Sequence, residues 1–116
     1  MTPRDVRAFL LDVLERIEET RRFVGAASRA EFLGSRLLQT AVEREFIVIG
    51  EAVTRVVALR PDFEARIGSA RQIIGLRNRL VHAYMGVDPN ALFGVVETHL
   101  TPLERDVQAL LNELGA

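Results

Sequence analysis

Cysteine, tryptophan and lysine are all missing from this 116-residue chain, and tyrosine occurs once. Without thiols there is no disulfide framework and no thiolate metal site. The two histidines, His82 and His99, lack a helix-spaced histidine or carboxylate partner of the kind zinc proteases use, so neither a metal site nor a cofactor is expected. No apolar run reaches the length of a membrane span, and the N-terminus carries no secretory pattern; a soluble, cytoplasmic protein is the expectation. A formal net charge of −1 argues against a protein that coats nucleic acid through wholesale basicity. All fifteen basic side chains are arginine, a bias that genomic base composition explains and from which no function is drawn.

What the chain does contain is apolar residues, 48% of the total, enough for one core and not two. A single helical domain over residues 1–116 is expected. Thr2-Pro3-Arg4-Asp5 reads as a cap opening a helix from about Pro3 to Val24, with Val6, Phe9, Leu10, Val13, Leu14 and Ile17 on one stripe. Ser28-Arg29-Ala30-Glu31 is a capping box for a short turn through Leu33, and Gly34-Ser35 allows a long helix from about Ser35 to Leu59. Its middle, Phe46-Ile47-Val48-Ile49, is apolar all round, which suggests burial against two surfaces.

Pro61 to Ser69 reads as the longest loop, Ser69 or Ala70 as the start of a third long helix, and Gly86 as its C-terminal cap. Asp88-Pro89 opens a fourth, with a kink or restart expected at Thr101-Pro102. With no strand signal or repeat, the expected fold is all-α: an up-and-down bundle of four main helices plus a short one.

The third long helix holds the chemistry. Arg77-Asn78-Arg79-Leu80-Val81-His82-Ala83-Tyr84 gathers an imidazole, a phenol, an amide and two guanidinium groups into one segment. Residues 65–84 contain Arg66, Arg71, Arg77 and Arg79 and no acid, whereas residues 85–116 hold Arg105 as the one arginine among several acids. Positive potential is therefore expected to be focused on this helix. Histidine gives and takes protons near neutral pH, and arginine binds phosphate oxygens through a planar fork. On a regular helix Arg77 lies within about 20° of Tyr84 but roughly 140° from His82, which neighbours Asn78. Two stripes so placed meet on one phosphate only across a groove or a two-fold axis, which favours a homodimer.

Metal-independent RNA cleavage needs a base for the 2′-OH, an acid for the leaving 5′-oxygen and positive charge for the phosphorane. His82 suits the first two roles, Arg77 the third, and Asn78 suits orientation of the phosphate or the imidazole. Structural readings stand beside these: His82 as a capping histidine at a helix C-terminus, Arg79 as a solvated surface charge, and His99 as packing or interface. Glu51, mid-helix in an apolar setting, reads either as a surface acid or as a partner that orients Arg77 or Arg79. Tyr84 reads as a buried phenol or as a surface for substrate stacking.

Arg, four residues, His, one residue, Tyr, with Gly75-Leu76 before it and Asn78 directly after the arginine, resembles the signature of the HepT-like ribonuclease toxins of the HEPN superfamily. Ile49-Gly50-Glu51-Ala52, Glu31-Phe32-Leu33 and Gly86-Val87-Asp88 stand where that family carries similar words, so the resemblance runs from about Arg4 to Leu103. Where the family often has tryptophan after that aspartate, this chain has Phe93. The resemblance implies a HEPN-like bundle and an endoribonuclease toxin of a type VII toxin–antitoxin system. Its implied catalytic residues are Arg77, His82 and Asn78, with Glu51 and Arg79 supporting. It further implies a partner, a minimal nucleotidyltransferase antitoxin, that silences the toxin by transferring AMP to Tyr84. The alternative is a non-catalytic HEPN helical module that binds nucleotide or a partner protein.

Overall fold

The computed structural model describes residues 5–82 and 86–115. Their helices are α1 (Val6–Val24), α2 (Arg29–Leu33), α3 (Arg36–Leu59), a 3-10 segment (Pro61–Arg66), α4 (Ala70–His82) and α5 (Pro89–Gly115), with no strand among the described residues. The chain is thus an all-α bundle of four main helices and a short one, as its periodicity implies.

Helix α3 is the hub. It packs on α1, α2, α4 and the 3-10 segment, while α5 closes the bundle against α1 and α2. Val42, Phe46, Ile49, Val53 and Val56 recur at three and four along α3 and are wholly buried, facing Leu10, Val13 and Ile17 of the core. In the apolar stretch of α3, Phe46 and Ile49 enter the core, and Ile47 and Val48 stay half-buried. These two line a groove of about 530 Å³ with Phe9, Asp12, Arg44, Glu51, Ala52 and Arg55.

Three boundaries differ from the sequence expectation. Helix α1 starts at Val6 rather than Pro3: Asp5 is extended, and its carboxylate accepts the Ala8 amide at 3.1 Å. A carboxylate is as strong an N-cap as a hydroxyl, and it takes the role from Thr2, which with Pro3 lies outside the described residues. The supposed loop after Pro61 is largely a 3-10 helix, because Phe63 and Ile67 are drawn into the core and the turn between them must tighten. Helix α5 runs unbroken through Pro102, with Leu100 and Leu103 buried on either side of it; core packing outweighs the missing N–H, and no restart occurs.

Helix α2 works as a staple. Its capping box forms as expected, with Ser28 Oγ accepting the Glu31 amide and Glu31 accepting the Ser28 amide. Phe32 then packs on Phe93 with ring centroids 5.1 Å apart. Arg29 lies over the same Phe93 ring and donates to Asn90 and Glu97, so both ends of α2 tie down the start of α5.

One buried group is poorly matched. Glu45 on α3 is 2% exposed, its Oε1 lies 3.5 Å from Arg16 Nη1, and its Oε2 has no hydrogen-bond partner. Burial, reinforced by the nearby Glu19 charge, pushes its carboxyl above the ordinary range, and Arg16 offsets this only in part. The folded state therefore holds this proton more tightly than the unfolded chain does. Stability from this group is complete below the ordinary glutamate range of about 4.3 and falls as pH rises through the raised folded value. Glu45→Gln is accordingly expected to raise the thermal midpoint relative to the parent at neutral pH, with the difference shrinking as pH is lowered toward about 4; melting curves across that range check it.

Candidate active site

Helix α4 presents Ala70, Ile73 and Leu76 to the core and leaves Asn78, Arg79, Val81 and His82 exposed. Its docking on α3 depends on Gly50. A Cβ placed there would fall on Cβ and Cγ of Arg77 and lie 3.3 Å from the Ile73 carbonyl oxygen. The aliphatic stem of Arg77 thus lies directly on bare α3 backbone.

From that seat the Arg77 guanidinium, on a side chain 27% exposed, reaches Glu51, the residue next to Gly50 in α3. Nη2 lies 3.1 Å from Glu51 Oε2, and Nη1 donates to Asn78 Oδ1 at 3.1 Å. Nε is buried without a hydrogen-bond partner. The other oxygen of Glu51 takes Arg55 Nε at 3.3 Å. Glu51 is therefore the partner of Arg77 and not of Arg79, which makes no ion pair among the described residues. Asn78, expected at the phosphate or the imidazole, turns its amide oxygen to the arginine, and its side-chain amide N–H groups make no hydrogen bond among the described residues. Since a guanidinium carries two N–H groups on each terminal nitrogen, N–H groups remain on Nη1 and Nη2 for a phosphate.

His82 ends α4 and is exposed. Among the described residues it makes no hydrogen bond, so none links it to Arg77, in keeping with their angular separation on the helix. Tyr84 lies outside the described residues. His99 is half-buried on α5, with its Nδ1 2.6 Å from Thr98 Oγ1.

The expected concentration of positive charge on the motif needs correction. Acids from other elements meet much of it: Glu113 of α5 pairs with Arg66, Glu64 of the 3-10 segment with Arg71, and Glu51 of α3 with Arg77. Counting charge along a sequence window misses partners that the fold brings in from elsewhere. Arg55 was also missed, although its place four residues after Glu51 is the spacing of a helical ion pair. No group of residues among those described could hold a metal ion.

The profile of the family described as Ribonuclease HepT-like matches residues 13–110. The chain belongs to the HepT-like ribonuclease family. A Methanocaldococcus jannaschii protein named provisionally as an RNase is 31% identical over 110 residues, covering 93% of this chain and 98% of its own. A Thermococcus cleftensis protein named as a probable ribonuclease HepT is 29% identical over 111 residues, covering 92% of this chain and 96% of its own. No solved structure matches the chain significantly. The Gly50-Glu51 pair has a physical reading in this chain: the glycine admits the stem of Arg77 and the glutamate holds its head.

Gly50→Ala is expected to force α4 away from α3. The overpacking should cost about 1–3 kcal/mol, read as a lowered urea midpoint with little change in the denaturant slope.

Proposed function

We propose that this chain is a metal-independent endoribonuclease toxin that acts as a homodimer and is silenced by a nucleotidyltransferase antitoxin. The observation that carries the reading is the arrangement of Arg77 in a HepT-like ribonuclease: fixed by Gly50, Glu51 and Asn78, with terminal N–H groups to spare, on the same helix as a solvent-exposed His82.

In this mechanism Arg77 binds the nonbridging oxygens of the scissile phosphate and stabilises the charge that develops on them. A neutral His82 imidazole takes the proton of the 2′-OH as its oxygen bonds to phosphorus. A protonated His82 of the second copy gives its proton to the 5′-oxygen as the P–O5′ bond breaks, leaving a 2′,3′-cyclic phosphate and a 5′-OH. Two motif helices facing one cleft supply both imidazoles, which answers the divergence of Arg77 and His82 on a single helix. Asn78 and Glu51 act through Arg77, keeping its fork in place. Their contacts lie near the surface, where an ion pair contributes only about 0–1 kcal/mol to stability, so their value lies in orientation.

His82→Ala and Arg77→Ala are each expected to lose roughly two or more orders of magnitude in cleavage, one through proton transfer and the other through charge stabilisation. Cleavage should persist in chelator, by a species that sediments as a dimer. Activity abolished by chelator and restored by magnesium, or full activity in a monomer, refutes the mechanism. Growth arrest by the parent and not by His82→Ala separates the toxin from a non-catalytic binding module.

Regulation is assigned to Tyr84. With ATP as donor, the antitoxin forms an ester between the tyrosine oxygen and the α-phosphorus and releases pyrophosphate, placing negative charge in the segment that follows His82 and competing with substrate phosphate. Tyr84→Phe keeps the ring and removes the acceptor oxygen, so its stability should change by no more than about one hydrogen bond, 0.5–1.5 kcal/mol. The variant should stay toxic beside the antitoxin and gain no AMP mass; neutralisation of this variant by AMP transfer places the acceptor elsewhere.

A further inference from the structure

The outward face of α4 is polar and cationic. At about 100° per residue, Arg71, Gln72, Gly75, Asn78, Arg79 and His82 fall on one side of the helix, opposite the stem of Arg77. Every one of these except Gly75 is exposed, none is an acid, and none is apolar. Arg79 has no ion-pair partner among the described residues, and Arg71 is 90% exposed with its one acid, Glu64, 3.6 Å away. So exposed and loose a pair leaves the Arg71 charge available.

Gly75 stands in the middle of this face. A glycine inside a helix is unfavourable relative to alanine, and proteins place it where another group must come close to the backbone. Gly50 has such a reason within the chain, since a Cβ there collides with Arg77. Gly75 has none: a Cβ built on it meets nothing within 4 Å. That space is open to a group from outside the described residues.

We propose that this face is the track for the RNA strand, with Arg71 and Arg79 holding phosphates on either side of Gly75 and the strand pressed onto bare helix backbone there before it reaches His82. The proposal rests on the endoribonuclease reading and extends it to residues outside the motif. Charge decides the occupant. Two such cationic stripes facing one cleft repel each other, and a phosphate chain lying between them is attracted to both. From Arg71 to Arg79 the helix rises about 12 Å, the span of about two nucleotides of a single strand.

The test uses the full-length chain and a 2′-deoxy oligonucleotide, which lacks the attacking hydroxyl and reports binding without cleavage. Arg71→Ala and Arg79→Ala should each weaken its binding and lower the slope of log affinity against log salt by about 0.7, while Arg105→Ala on α5 leaves both unchanged. Gly75→Ala should raise the thermal midpoint and yet weaken binding several-fold, opposite signs that a purely structural glycine cannot produce. Parent-like binding by a folded Gly75→Ala, or unchanged salt slopes in both arginine variants, overturns the inference. So does a Gly75→Ala protein that changes its oligomeric state, because the face then belongs to a second copy. If the parent binds the deoxy strand through these residues and cleaves no RNA, the track stands and the endoribonuclease reading falls.

Discussion

The contact between the Arg77 stem and the bare backbone of Gly50 sets the distance between α3 and α4, and with it the position of every group on the motif helix. Helix pairs usually meet through interdigitating side chains at separations fixed by their bulk. Here one side contributes none. The arginine can therefore lie flat against α3, its stem partly buried, and deliver its head to the carboxylate of the very next residue. Without that seat, ordering so flexible a side chain would cost considerable rotamer entropy at the moment of binding. Packing has already met that cost.

The remainder of the bundle keeps this contact in place. The fully buried stripe of α3 fastens it to α1, and the staple of Arg29 and Phe32 around Phe93 fixes the start of α5, the helix that follows the motif. The Phe93 ring serves both as a packing partner for Phe32 and as a platform for the Arg29 guanidinium. Against these gains stands Glu45, a carboxylate buried with an oxygen unmatched, whose charge the folded state tolerates poorly.

Helix class, the capping box and most helix ends were legible because each rests on local rules: a Ser28–Glu31 reciprocal cap, Gly34-Ser35 as an opening, Pro61 as a stop, and apolar residues at three and four. The miscalled boundaries are places where long-range packing wins. Phe63 and Ile67 are short of helix signals but long on hydrophobicity, and the core coils their segment. Pro102 carries a strong local breaking signal that its buried neighbours override. The motif helix itself could be read, as could the divergence of Arg77 from His82. That Glu51 would choose Arg77 over Arg79 could not, since it depends on which side of α4 meets α3. Nor could the contrast between the two glycines, one filled by a neighbour and one facing open space, because composition treats them alike.

Among the helices, α4 is attached chiefly to α3, whereas α3 itself is gripped from several sides. A helix with a single main neighbour can detach at the cost of that one interface, well short of the free energy that unfolds the whole domain. Backbone amides of Ile73 to His82 therefore belong to a less protected cooperative unit than those of Ile49 to Val56. The bundle can stay folded while its motif helix is undocked, so loss of the site and loss of the fold are separate events in this molecule.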